Sequence, residues 1–330
     1  MKALVYTGPE ALEYRDVADP VASDGEVMVQ VESVGICGSD MHAFLGHDER
    51  RPAPLILGHE VSGTLTSGPN SGQRVTVNPL VTCGHCKACV SGRDNLCPDR
   101  QIISMQPREG GFAEQLTIPE RNVVALPQTV SSDQAALTEP IACGWHAVRI
   151  AKTQLQNSND AQALVMGGGA IGLGAALSLK AQGIGDVLII EPNAGRRTYL
   201  EETCGQKSCA PEALGDTQFF DIIVDGVGIE ASRAQASAHA TPGGVIVHIG
   251  LGSSSGGLDV RRMTLQEIAF IGTYTYTAQD FRDTAQAMFD GRLGALNWTQ
   301  DWPLENGQAA FQAIRSGEVA APKIILKPNI

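Results

Sequence analysis

The chain has 330 residues, 43% of them hydrophobic, and a formal net charge of -12. That length exceeds one domain's usual size and supplies apolar material for two ordinary cores. The acidic balance, with no dense run of lysine or arginine, lacks a phosphate-binding footprint and argues against a nucleic-acid partner. No window holds the roughly 18 consecutive apolar residues that a membrane span needs. The opening MKALVYTGPEALEYRDV lacks the apolar stretch and cleavage site of a signal peptide. A cytoplasmic protein is the expectation.

Residues 1 to about 135 alternate in short strands broken by glycine and proline, as at 2–6, 26–34 and 74–77. This pattern predicts an all-β or barrel-like region. Within it lies Cys83-Gly-His-Cys86-Lys-Ala-Cys89, followed by Cys97. Two-residue gaps let a tight turn aim neighbouring sulfurs inward, and four thiolates suit a tetrahedral, closed and therefore structural zinc. Bacterial iron–sulfur ligation shares the first spacings, but its last gap is three residues rather than seven. His85 reads as solvent-facing, because four sulfurs already fill the tetrahedron. In a reducing cytosol the eight cysteines are not expected to pair as disulfides.

Residues 131–151 form an alanine-rich bridge, with Ser131, Ser132 and Asp133 as possible N-caps. Beyond it the pattern changes. Strands at 163–166, 186–190, 221–224 and 244–249 enclose a helix at 171–182, which predicts βαβ units and a parallel sheet. Gly167-Gly168-Gly169-Ala170-Ile171-Gly172 fits G-x-G-x-x-G between strand and helix. Gly167 would make the turn, Gly169 would admit a pyrophosphate, and Gly172 would let helix and strand pack. Ala170 and Ile171 start the helix whose N-terminus stabilises phosphate charge. Glu191, nineteen residues after Gly172, is placed for the adenosine ribose hydroxyls. Its carboxylate repels a 2′-phosphate and favours NAD over NADP, while Arg196 and Arg197 pull the other way. The tail holds a helix at 278–289 and a strand at 323–326.

Taken in order, Gly35-Ile36-Cys37-Gly38-Ser39-Asp40, Gly58-His59-Glu60, the cysteine quartet, Thr138-Glu139-Pro140 and the glycine-rich turn resemble the medium-chain dehydrogenase/reductase family. They look most like its sorbitol and threonine dehydrogenase-like branch, over essentially the whole chain. The resemblance implies an α/β protein: a GroES-like β-barrel catalytic domain (1–141), a Rossmann doubly wound NAD-binding domain (142–274), and a C-terminal segment (275–330) returning to the first. It implies two zincs per chain and NAD. Cys37 and His59 would hold the catalytic zinc, with Glu60 and Glu139 completing the shell directly or in exchange with water. Glu139 stands where the ethanol-type branch has cysteine, and so points to polyols.

Ser39 and His42 match the family's proton relay, and Asp40 matches a partner that orients His59. Read singly, each has a bland alternative: Cys37 an ordinary buried thiol, His59 a satisfied core histidine, Glu60 a surface carboxylate, His42 a surface histidine and Asp40 a turn aspartate. His47, Asp48 and Glu49 read as a solvated loop, with a substrate entrance as the alternative. Tyr274 and Tyr276 read as substrate-wall or packing residues, and His146 as packing.

The expected reaction is reversible oxidation of a secondary alcohol, a polyol or small diol, to a ketone. Threonine- or simple-alcohol-type activity is the alternative within the family. A zinc-free reductase and an NAD-binding assembly or sensor protein without turnover are the rivals beyond it. The expected partner is a small molecule rather than a membrane, in a homodimer or homotetramer.

Overall fold

A computed structural model describes residues 1–155 and 160–328. The chain divides into two compact units. One comprises Met1–Glu139, Thr277–Phe289 and Thr299–Ile330; the other comprises Pro140–Tyr276 and Asp290–Trp298. Residues 329–330, at the end of the expected C-terminal segment, lie outside the described residues.

The first unit centres on a mostly antiparallel seven-stranded sheet. Its strand Glu26–Gly35 alternates, burying Val27, Val29 and Val31, the period-two pattern of a half-buried strand. This strand pairs antiparallel with Glu60–Leu65 on one side and Lys323–Lys327 on the other. The registers set Gly35 opposite both Glu60 and Ile325. Cys37, just past the end of one strand, therefore lies at the same sheet end as Glu60 and the start of Lys323–Lys327. The next residues form the helix Gly38–Phe44 with Cys37 as N-cap.

The second unit is built on a six-stranded parallel sheet. Its order is Lys207–Cys209, Asp186–Ile190, Gln162–Met166, Phe220–Asp225, Ala240–His248, Ala269–Gly272. The chain runs outward from the third strand of that row, then restarts on its other side, which is the doubly wound order of a Rossmann fold. Leu164, Val165 and Met166 are buried, as expected of parallel strands covered on both faces. The predicted strand 186–190 is observed as Asp186–Ile190, and the predicted helix 171–182 as Ala170–Ala181.

The bridge and the tail each gain detail. The bridge 131–151 is two helices, Ser132–Ala136 and Thr138–Lys152. Ser131 caps the first by exchanging hydrogen bonds with Gln134, and Pro140 is tolerated in the first turn of the second because no helical N–H is needed there. The tail does not all belong to the first unit: residues Asp290–Trp298 pack in the second, where Leu293 and Trp298 are buried. Among the described residues no helix is long and apolar enough to cross a membrane.

Candidate active site

In the first unit Cys37, His59 and Glu60 offer one ligand atom each, all within 4.8 Å of one another. Asp40 ties their segments together. Fully buried, it accepts hydrogen bonds from Cys37 N (3.0 Å) and Gly58 N (3.2 Å), and its Oδ1 lies 3.4 Å from His59 Nδ1. Burial opposes its ionisation, but the charge of His59, the bond to it and the Arg51 guanidinium outweigh burial and hold its carboxyl below the usual range. Burial likewise opposes a charged His59, and Asp40 and Cys37 override it, raising the imidazole well above its ordinary value. A metal must displace that proton to bind.

Glu60 is fully buried. Its Oε1 accepts from Lys323 Nζ at 2.6 Å, and Lys323 also donates to Ile36 O at 2.8 Å. The other oxygen, Oε2, is buried with no hydrogen-bond partner among the described residues. A buried carboxylate oxygen without a donor is costly, and a cation held with Cys37 and His59 would satisfy it. The donor set fits zinc, which accepts sulfur, nitrogen and oxygen together.

Glu139 is buried but does not join that group of three; its charge reaches Lys323. Ser39 Oγ lies 3.5 Å from His59 Nε2, and His42 is exposed one turn further along the helix. Asp48 is not a solvated loop residue as expected: its side chain is buried and pairs with Arg51 at 2.7 Å. Tyr276 is buried.

Three contributors carry no motif. Lys323 hides in an apolar strand, where a lysine at a buried position was the available signal. Ser104 is buried at φ 72° and its Oγ is 3.3 Å from His59 Nδ1. Arg51 donates to Ser104 O and Ser39 O.

The cysteine quartet also forms a group within 4.8 Å. Its sulfurs are 3.9 Å (Cys83–Cys89) and 3.5 Å (Cys86–Cys89) apart, close to the about 3.8 Å edge of a tetrahedron with metal–sulfur bonds of about 2.3 Å. The N–H groups of His85 and Cys86 pull the Cys83 thiol down to about 6. Burial and the neighbouring Cys86 push Cys89 up to about 12. Four sulfurs this close cannot all be thiolates without a cation between them, so the set fits a structural zinc.

In the second unit Gly167 takes φ 92°, which favours glycine, and a Cβ on Gly172 would fall 1.7 Å from Gly167 O. Helix and turn thus meet backbone to backbone. Gly169 caps the helix Ala170–Ala181, and nothing lies within 4 Å of where its Cβ would be. That open cradle at a helix N-terminus suits a pyrophosphate. Glu191 is mostly buried and accepts from Gly168 N (2.9 Å) and Asn193 N (2.8 Å). Arg197 is engaged with Glu191 O and Pro192 O, and Arg196 is half-buried in the following helix.

Residues 23–128 match the alcohol dehydrogenase GroES-like domain, and residues 170–290 the zinc-binding dehydrogenase family. The chain is 31% identical over 310 residues to L-galactonate-5-dehydrogenase of Escherichia coli, covering 89% of both chains. The chain belongs to the zinc-binding alcohol and polyol dehydrogenases of the medium-chain family. It is 30% identical over 349 residues to sorbitol dehydrogenase of Bacillus subtilis, covering all of this chain and 98% of the relative. Its fold matches the crystal structure of Bacillus subtilis 2R,3R-butanediol dehydrogenase with a TM-score of 0.86 at 25% identity, over 99% of each chain. The dehydrogenase therefore joins a GroES-like domain to a Rossmann domain, acts on CH–OH donors, and uses zinc and a nicotinamide dinucleotide.

Proposed function

We propose that this dehydrogenase reversibly oxidises a secondary alcohol of a polyol or small diol to the ketone, with NAD as hydride acceptor. The observation that carries the reading is the buried, unpartnered Oε2 of Glu60 beside Cys37 and His59. A shell of this mixed kind can keep a position open for substrate oxygen. Zinc held by Cys37 and His59, with Glu60 and Glu139 completing the shell directly or in exchange with water, would supply Lewis acidity, and the dinucleotide would supply the hydride acceptor.

The chain's own residues do the rest. Ser39 would take the alcohol proton, the ribose of the bound coenzyme would hand it on to His42, and His42, exposed on the same helix, would release it to solvent. Asp40 orients His59. Gly169, Ala170 and Ile171 receive the pyrophosphate on a turn that Gly167 shapes and Gly172 packs against the strand, Glu191 receives the adenosine ribose, and Arg196 flanks it. Cys83, Cys86, Cys89 and Cys97 hold the structural zinc. Sorbitol, galactonate and butanediol, named for the relatives, share a secondary hydroxyl beside another oxygen-bearing carbon. We further place the enzyme in the cytoplasm as a homodimer or homotetramer, which light scattering tests.

The deciding experiment measures coenzyme reduction by zinc-loaded protein over alditols, aldonates, diols, 3-hydroxy amino acids and simple alcohols, with NAD and NADP. Turnover of an alditol or diol with NAD is expected. A threonine or NADP preference overturns the substrate or coenzyme assignment, and no turnover at all favours a non-catalytic NAD-binding protein. In the same assay, Glu191→Ala should raise the NADP-to-NAD ratio of kcat/KM by about tenfold or more, since a repelling carboxylate is removed. It should also weaken NAD use, because Gly168 N loses its acceptor. An unchanged ratio would remove Glu191 from coenzyme selection.

A further inference from the structure

At the carboxyl ends of strands Phe220–Asp225 and Ala240–His248 two loops lie back to back. Ile249 N and Gly250 N both donate to Asp225 O, Gly252 N to Val227 O, and Ser253 N to Gly228 O at 2.8 Å. The approach is so close that a Cβ on Gly228 would sit 2.1 Å from Gly250 O. Residues 251–256 on the outside are exposed.

Beneath them Arg233, from the helix Glu230–His239, is 5% exposed. Its Nη1 donates to Gly228 O (2.9 Å) and Ser253 O (3.1 Å). Its Nε donates to Gly256 O (2.6 Å), and its Nη2 to Ser253 Oγ (2.8 Å) and Ser255 O. One guanidinium thus joins the turn after the first strand to three successive points of the loop after the second. A buried guanidinium is costly unless its N–H groups are paired. Here they are spent on the backbone of an exposed loop, and a planar five-donor fork can do this where a lysine ammonium cannot.

Sheet order gives this clamp a direction. Glu191 ends a strand on one side of Gln162–Met166, and both clamped loops end strands on the other. A dinucleotide with its pyrophosphate at the glycine-rich turn and its adenosine ribose at Glu191 extends its nicotinamide half toward the clamped loops.

We propose that Arg233 is a positioning residue for the nicotinamide half of the coenzyme: it fixes loop 250–257 against the Gly228 turn, so that the wall facing that half is preformed. The proposal rests on the dinucleotide reading above. It predicts a split between two ligands that share the adenosine and pyrophosphate but differ in nicotinamide. NADH and ADP-ribose are titrated calorimetrically into the zinc-loaded full chain, as parent, Arg233→Met and Arg233→Lys. Amide exchange over 250–257 is followed alongside.

The Met variant should bind NADH about tenfold or more weakly, as loss of loop ordering implies, with ADP-ribose changed by less than about twofold. Amides of 250–257 should lose protection, and the Lys variant should show the same split at smaller size. Equal weakening of both ligands would mean general damage and overturn the proposal, as would unchanged NADH binding. Should the Met variant not fold, the Lys variant decides by the same criterion. If the parent bound neither ligand, the dinucleotide reading itself would fail.

Discussion

Replacing Cys37 with alanine should lower kcat by at least about 10³-fold and drop the zinc content from two per chain to one. The magnitude follows from what the metal supplies. Charge stabilisation by a Lewis acid is worth several kcal/mol in the transition state, and each 1.4 kcal/mol is about tenfold in rate. The two donor groups are separate, one on Cys37, His59 and Glu60 and one on the quartet, so the quartet should keep its ion.

Dinucleotide affinity should stay within about twofold of the parent, because the glycine-rich turn and Glu191 belong to the other unit. Metal analysis, single-substrate kinetics and NADH titration on one preparation check all three. Two zincs retained with activity intact would show that Cys37 is an ordinary thiol and would sink the catalytic-metal reading. A quartet variant should behave differently. Cys97 is fully buried, and structural zinc contributes folding free energy directly, so Cys97→Ala should lose solubility and fold rather than the chemical step alone.

The contrast explains how much could be read from the chain. Cys83, Cys86, Cys89 and Cys97 lie within fifteen positions, so their chemistry is a property of local spacing. The glycine-rich turn is equally local: one strand, one turn and one helix specify it, and the structure reproduces those elements to within a residue or so. Cys37, His59 and Glu60 were legible through flanking motifs and family likeness. What joins them is sheet register, which sets Gly35 against Glu60 and against the C-terminal strand.

Register also hid the rest. Lys323 meets Glu60 across 263 positions, and no spacing rule links them. Ser104 turns toward His59 through a left-handed backbone in a loop, which no composition signals. Arg233 carries no motif either, because four of its five partner atoms lie on a loop twenty or more residues away. Residues 290–298 group with the second unit for the same reason: burial of Trp298 is a tertiary fact, without local periodicity to announce it.

Lys323→Met should destabilise the first unit by about 3–5 kcal/mol in metal-free protein, the usual consequence of removing one partner from a buried ion pair. Both members are essentially inaccessible, with side-chain exposures of 2% and 0% at 2.6 Å. Burial disfavours the ammonium, yet the charges of Glu60, Cys37 and Glu139 overcome it and raise the Lys323 pKa. The lysine is therefore a cation at neutral pH, and methionine keeps its bulk while deleting that charge. Glu60 then stays buried with neither oxygen compensated, since Oε2 has no donor to begin with.

Adding Glu60→Gln to Lys323→Met removes the stranded charge and should recover a good part of the loss, giving a coupling free energy in a double-mutant cycle. Zinc supplies the sharper test. A cation held by Cys37, His59 and Glu60 compensates the same carboxylate, so zinc should stabilise Lys323→Met more than it stabilises the parent. By linkage, a state that gains more from the metal shows the larger upward shift in melting temperature. The measurement is thermal unfolding of four proteins, parent, both single variants and the double, each metal-free and zinc-loaded. If Lys323→Met melts with the parent in both conditions, the Glu60 carboxylate is compensated elsewhere and the pair does not govern the site. If it melts low by the same margin with and without zinc, Glu60 does not reach the metal, and the ligand set reduces to Cys37 and His59 with Glu139.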